Sequence, residues 1–363
     1  MSITSTFNDV FSFLKMGESR QIFRENPINN QLRQNADKYI IHLYEYNETE
    51  VREHKLQSAE ECRAFKDSSY NIWLNIEGLD KQAIHTISEM FEINELIEED
   101  IYSLGHNTKL DQFDNYIYCL VYMLSYNDTR FFIEQEQVSI ILGRTRVITF
   151  QEEAEKDSFN KIRNKLKNKA SKIRQNGVDF LFYELLDAIV DDYFYLMDKL
   201  SARIETVEDE VLNNQNKRSF AKIIFYRREL MILRRNIYPL RDVITMLLRN
   251  EEEIFNKKTL RYLKDVSDHI NQAKEMVENY RESIANIHDL YLNQENNKLN
   301  QSMKVTAIVT CLLAPATVIG GIFGMNFKHI PYLDNPYAFY FAISLMLLIP
   351  VYMIYVFKKR GWF

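Results

Sequence analysis

The sequence predicts an α+β domain followed by a long α-helical stalk and two transmembrane helices, and three observations carry that expectation. Short apolar runs alternate with helix-spaced segments through the first part of the chain. A heptad row of apolar positions then begins at Leu263 and meets no proline or glycine until Pro315. Two uncharged stretches lie near the end, about 19 residues from Val305 to Phe323 and about 21 from Tyr337 to Phe357, each near the ~20 that cross a bilayer as helix. Soluble core helices rarely stay uncharged for so long. The average over 363 residues, with formal net charge -6, conceals this division.

Residues 1-35 read as a polar leader, short in apolar run and mixed in polarity, unlike a secretory signal. The α+β domain, 36-176, places strands on "YIIHLYEY" from Tyr39, "NIWLNI" from Asn71, "YIYCLVYML" from Tyr116, and "QVSIIL" and "RVITF" around Gly143-Arg144. Helical spacing marks "DKQAIHTISEMF" and "INELIEEDI". The domain has no phosphate-cradling glycine loop or nucleophile elbow. No nucleophile, base and orienting group occur together, so an enzyme is not expected. Between Glu155 and Arg174 lies a basic helical segment with Lys161, Arg163, Lys165, Lys167, Lys169, Lys172 and Arg174. It lacks interleaved aromatics for base stacking and the chain is acidic, so it reads as a solvated face and nucleic acid is not an expected partner.

Two long helices, within 177-252, are expected at Val178 to Leu212 and Phe220 to Arg249, joined by the polar "NNQNKRS". Glu205, Glu208, Asp209 and Glu210 beside that turn read as a solvated helix end. The stalk, 253-303, carries Leu263, Val266, Ile270, Ala273, Val277, Tyr280, Ile284, Ile287 and Tyr291 at heptad spacing, a seam that must pack against other helices. Asp265, Asp268 and His269 stand at i, i+3 and i+4, a spacing open to metal ligation and to a solvated face alike. Cys62, Cys119 and Cys311 lie far apart and read as ordinary thiols.

The first span is 304-325, the loop 326-336, the second span 337-357 and a basic tail 358-363. Lys304 precedes one span, and Lys358, Lys359 and Arg360 follow the other, so the positive-inside rule places both termini in the cytoplasm. A second row continues along the first span: Asn300, Met303, Thr306, Thr310, Ala314, Thr317 and Gly321. Such small and polar residues at membrane depth either pack helices closely or line water. Two helices cannot enclose a channel, so a pore requires several copies around an axis. Directly after the span stands Gly324-Met325-Asn326. A ring of Asn carboxamide oxygens can hold a cation through its water shell, which suits Mg²⁺ because that ion dehydrates reluctantly.

These residues, with "WLNIEG", "EEDI", "EQVSIIL", "DFLFYELLDAIVDDYF", "IYPLRDVI", "LKDVSDH", "NNKLNQSMKV", "GMNF" and "KKRGWF", give the chain a resemblance from Tyr39 onward to the CorA magnesium channel family. The resemblance implies a funnel-shaped homopentamer in the plasma (inner) membrane, with no organic cofactor. The pore would be lined by the first span, with Asn326 held by Gly324 and Met325 as the selectivity ring, the pore threonine on Thr317, and inner polar rings on Asn300 and Asp289. Passive influx of hydrated Mg²⁺ is implied, with Co²⁺ and Ni²⁺ also passing. An inside-negative potential drives it at about 2.3 kcal/mol per charge per 100 mV. Regulatory Mg²⁺ would bridge subunits between Asp100 and Asp265, with Asp268 alongside.

The sequence departs from the family's pattern where Thr306 and Ala314 replace larger apolar residues, which weakens a dewetting constriction and leaves Met303 as the apolar ring. The loop, with Lys328, Ile330 and Tyr332, is near neutral rather than acidic. That neutrality keeps open a Zn²⁺ or broad divalent cation transporter of the same superfamily. A non-conducting membrane-anchored scaffold is the third reading, and it predicts that replacing Asn326 leaves metal uptake unchanged.

Overall fold

The computed structural model describes residues 36, 38–127, 132–152, 159–213, 217–249, 254–326, 335 and 337–362. The leader 1-35 and the loop positions Lys328, Ile330 and Tyr332 lie outside them. By internal contacts the chain divides into two units, up to Ile287 and from His288 onward.

The first unit is built on a seven-stranded sheet. Its strands are β1 (Ile40–Tyr46), β2 (Val51–Leu56), β3 (Asn71–Glu77), β4 (Lys109–Gln112), β5 (Tyr116–Asn127), β6 (Phe132–Gly143) and β7 (Arg146–Gln151), in the order β2-β1-β3-β7-β6-β5-β4. Only the central β3–β7 pair is parallel; the other neighbours run antiparallel. The runs read as strands from sequence all form. The two edge strands, β2 and β4, were not anticipated, because "VREHKL" and "KLDQ" are polar and short, as sheet edges commonly are.

Side chains alternate across the sheet. One face carries Leu43, Leu74, Ile76 and Phe150 into a core completed by Ile84 and Ile87 of α1 (Lys81–Phe91) and Ile97 and Ile101 of α2 (Glu95–Tyr102). Asp80 caps α1 by accepting the Ala83 N–H at 2.9 Å, and Asn94 caps α2 by accepting the Leu96 N–H at 2.9 Å. The opposite face of β3 presents Trp73, Asn75 and Glu77. Trp73 meets Phe159 edge-on, with ring centroids 6.2 Å apart.

The basic segment corrects the sequence expectation at two of its seven cations. It forms two short helices, α3 (Asn160–Lys167) and α4 (Lys172–Gln175), and Arg163 and Arg174 are buried. The five lysines of the segment stay exposed, and carboxylates from the sheet and from α5 (Val178–Asn213) pair with some of its cations. Arg163 pairs with Glu77, Lys165 with Glu184 at 2.6 Å and Lys167 with Glu53 at 2.8 Å. Arg174 donates from Nε to the Asn47 carbonyl at 3.1 Å.

Helices α5 and α6 (Lys217–Arg249) are followed by α7, a single 67-residue helix from Lys257 to Phe323. Up to Ile287 its seam is consumed within the chain. Leu263, Val266, Ile270, Ala273, Val277, Ile284 and Ile287 are all buried, whereas Tyr280 and Tyr291 are only partly covered. Tyr262 packs on Phe180, His269 on Phe194, and Tyr238 of α6 donates to Glu278 at 2.5 Å. The seam is therefore filled by α5 and α6 and is not a free oligomerisation surface.

The second unit comprises α7 from His288 and α8 (Ala338–Lys359). Gly320 of α7 faces Met346 of α8, whose Cε lies 3.8 Å from where a Cβ would stand, ordinary van der Waals contact. Beside this contact is an apolar groove of about 490 Å³ lined by Cys311, Ala314, Pro315, Ile319, Ile349 and neighbours. Val305, Leu313 and Val318 of α7 and Phe339, Leu347 and Val351 of α8 are each about 60% exposed or more. Apolar exposure on this scale belongs against lipid or another helix.

Candidate ion path and regulatory carboxylates

The row from Asn300 to Gly321 keeps its helical spacing on α7. Asn300, Met303, Thr306, Thr310, Ala314, Thr317 and Gly321 are all exposed within one chain. Three of them share a local geometry. The hydroxyls donate to carbonyls one turn back: Thr306 to Ser302 at 3.0 Å, Thr310 to Thr306 at 2.8 Å and Thr317 to Leu313 at 3.1 Å. This satisfies the one O–H donor of each threonine at membrane depth and leaves oxygen lone pairs as acceptors. Asp289, earlier on the helix, is exposed and lies 3.7 Å from the His288 ring nitrogen.

The helix ends at Gly324, whose N–H bonds the Gly320 carbonyl at 2.9 Å while Met325 N–H reaches Ile322 at 3.3 Å. A Cβ at Gly324 would approach the Gly320 oxygen to 3.1 Å, so the glycine serves a close approach. Asn326 follows this turn and is exposed.

In the first unit, the candidates for metal between subunits are Asp100, Asp265 and Asp268, with His269 at helical spacing beside the last two. The structure gives them different surroundings. Asp100, near the C-terminal end of α2, is buried, and its carboxylate meets Lys109 Nζ at 2.5 Å and His106 Nδ1 at 3.4 Å. Its carbonyl accepts from Gln137 Nε2 at 3.0 Å, and Tyr122 donates to the His106 carbonyl at 2.6 Å, so the loop is pinned at two points. Asp265 and Asp268 are exposed on α7. Asp265 acts electrostatically on Tyr183 of α5, whose phenol is pushed up by burial first and then by Asp187, Glu184 and Asp265.

His269 instead turns toward Phe194, with its Nδ1 buried and unbonded. Within one chain no hydrogen bond or ion pair joins Asp100 to Asp265. Among the described residues, no group of three His, Cys, Asp or Glu side chains stands ready to hold a metal.

Sequence reasoning missed two features. His106 and Lys109 come to Asp100 through the turn into β4, an edge strand with no apolar signature. An acidic face on α5 also escaped notice: burial and the neighbouring charges of Asp191 and Glu184 push Asp187 up to about 6, and burial with Asp191 does the same for Asp192.

A seven-stranded α+β unit and two long apolar helices, the first closing on a Gly-Met-Asn turn, are consistent with a membrane protein of the metal-ion transporter class. The model for the CorA-like Mg²⁺ transporter protein family matches residues 68–359, and the chain belongs to that family. The cobalt/magnesium transport protein CorA of Thermotoga maritima is 35% identical over 325 residues, covering 89% of this chain and 92% of that protein. The putative metal ion transporter YfjQ of Bacillus subtilis is 28% identical over 291 residues, covering 80% and 89%. Among solved structures, the complete CorA magnesium transporter of Methanocaldococcus jannaschii superposes with a TM-score of 0.76 at 22% identity, covering 89% of this chain and 99% of that one. The ZntB cytoplasmic domain from Vibrio parahaemolyticus gives 0.56 at 13% identity, covering 71% and 99%. At these identities the two superpositions concern fold alone.

Proposed function

We propose that the chain assembles as a homopentameric channel for passive influx of hydrated Mg²⁺, with both termini cytoplasmic and with closure favoured by cytoplasmic Mg²⁺ bound between subunits. The observation that carries this reading is the exposed threonine row of α7, its donors spent on its own backbone, leading to Asn326 just past the helix end. A hydrated cation presents water O–H donors, and such a row offers acceptors. Asn326 would form the outer ring, Thr317, Thr310 and Thr306 the wall with Gly321 and Ala314, and Met303, Asn300 and Asp289 the inner end. Co²⁺ and Ni²⁺ are expected to pass because the hydrated ions are of similar size.

The regulatory reading rests on the carboxylates. Asp100 and Asp265 are hard oxygen donors, and Mg²⁺ characteristically takes one or two such ligands and keeps several waters. Asp265 and Asp268 are exposed on α7, which leaves them available to a neighbouring subunit's Asp100. Low cytoplasmic Mg²⁺ would leave facing carboxylates to repel one another, and the closed state would loosen.

Uptake of Mg²⁺ and Zn²⁺ into proteoliposomes, measured in parallel with external hexaamminecobalt(III), tests the proposal. Mg²⁺ entry that the inert complex blocks and that Asn326→Ala removes is the expected outcome. Entry of Zn²⁺ alone would favour the broader divalent transporter, and Asn326→Ala without effect on uptake would refute the filter.

A further inference from the structure

The regulatory carboxylate Asp100 already has a cation of its own. Lys109, at the start of β4, reaches it at 2.5 Å, and the same ammonium lies 2.9 Å from Asp111. Lys109 and Asp111 stand two residues apart on one strand, so their side chains leave the same face. The two ends of the pair are held unequally. The Asp100 side chain is 12% exposed and the Lys109 side chain 35%, so the carboxylate stays in place while the lysine has room to move.

We infer that Lys109 is a built-in competitor of the divalent cation at Asp100: in the metal-free state its ammonium neutralises the carboxylate, and metal binding transfers it to Asp111. This rests on the reading of Asp100 as a regulatory ligand. On the lysine side one ion pair is given up and one is kept, because Asp111 is already a partner and remains one. For Asp100 it trades a single charge for a double one that a second subunit's carboxylate can share. A lone buried carboxylate would otherwise pay heavily for its desolvation whenever metal left, so the lysine keeps the metal-free domain folded. The same lysine sets the threshold, since metal must outbid it.

The test uses full-length protein in detergent and the Mg²⁺ concentration that gives half-maximal protection from protease. Lys109→Met is expected to be protected at about five- to tenfold lower Mg²⁺, the effect of deleting a partly exposed ionic competitor. Lys109→Arg, which keeps the cation, should stay near the wild-type value. A midpoint for Lys109→Met that is unchanged or higher, while Asp100→Asn loses protection, would overturn the competition and leave the regulatory site standing. Asp100→Asn protected like the wild type would remove both. A second measurement needs no variant: acylation of Lys109 by an amine-reactive reagent, read by mass spectrometry, should rise several-fold when Mg²⁺ is added. An unchanged or lower rate with Mg²⁺ would refute the displacement.

Discussion

Replacing Arg163 by methionine should cost the first unit about 3–5 kcal/mol, the usual consequence of stranding one member of a buried ion pair. The side chains of Arg163 and Glu77 are 8% and 5% exposed, and the guanidinium lies 6.0 Å from the Trp73 ring centroid. Without the arginine, Glu77 retains Asn75 Nδ2 at 2.9 Å, a neutral donor that cannot balance a buried charge. The double variant Glu77→Leu with Arg163→Met should recover most of the loss, because an apolar pair in the same space has no charge to desolvate. Urea unfolding followed by fluorescence of Trp73 is a direct assay. The chain has two tryptophans, so a Trp362→Phe background isolates the reporter beside the pair. A loss below about 1 kcal/mol for Arg163→Met would refute the argument, since that is the scale of an exposed ion pair. Equal losses in the single and double variants would refute it too, by showing that packing rather than charge sets the cost.

The acidic face of α5 gives a pH dependence. Asp187 and Asp192, both pushed up to about 6, bind protons more tightly folded than unfolded, so their stabilising contribution is present below about pH 4 and is lost as pH rises through about 6. In metal-free buffer the double variant Asp187→Asn, Asp192→Asn should flatten that fall and gain about 1–2 kcal/mol at pH 7, after discounting for partial exposure, as read from urea midpoints at pH 5 and 7.5. Gly78, which ends β3 with φ +85°, should not accept alanine: the Cβ would sit 2.5 Å from the Lys38 carbonyl oxygen. Gly78→Ala is expected to lower stability by about 1–3 kcal/mol in the same unfolding measurement.

The elements most legible in the sequence were those whose burial pattern is strong and periodic. β5 and β6 read directly from "YIYCLVYML" and "QVSIIL", and the uncharged length of the two final helices was sufficient by itself. Edge strands escaped because they are short and rich in polar residues, with side chains only partly buried. Within the basic run the burial of Arg163 and Arg174 was missed for a related reason: sequence shows how many charges a segment carries, but not which groups the fold brings opposite them. Glu77 is 86 positions from Arg163, and neither predicts the other. The candidate site divides the same way. The Asn300-to-Gly321 row follows from helical spacing alone, whereas the pairing of Asp100 with Lys109 depends on a turn that spacing does not encode. His269 shows that sharing a helical face in sequence does not fix where a side chain points.

The fate of the heptad seam changes how assembly is to be understood. A seam from Leu263 to Ile287 suggests association through the stalk, but α5 and α6 cover it, and the first unit keeps exposed carboxylates at Asp265 and Asp268. Each added copy brings a formal charge of -6, so cations that offset repulsion favour contacts between copies. The second unit is the opposite case. Val305, Leu313 and Val318 remain uncovered beside a row of small and polar residues, a surface suited to cation-independent helix packing. On the proposed reading the two kinds of contact have separate tasks: the membrane helices keep subunits associated at every Mg²⁺ level, and the acidic units engage only when Mg²⁺ is present. Falling Mg²⁺ would then loosen the cytoplasmic contacts without dissociating the channel, and a sensor that reports on metal while the pore stays assembled requires that separation.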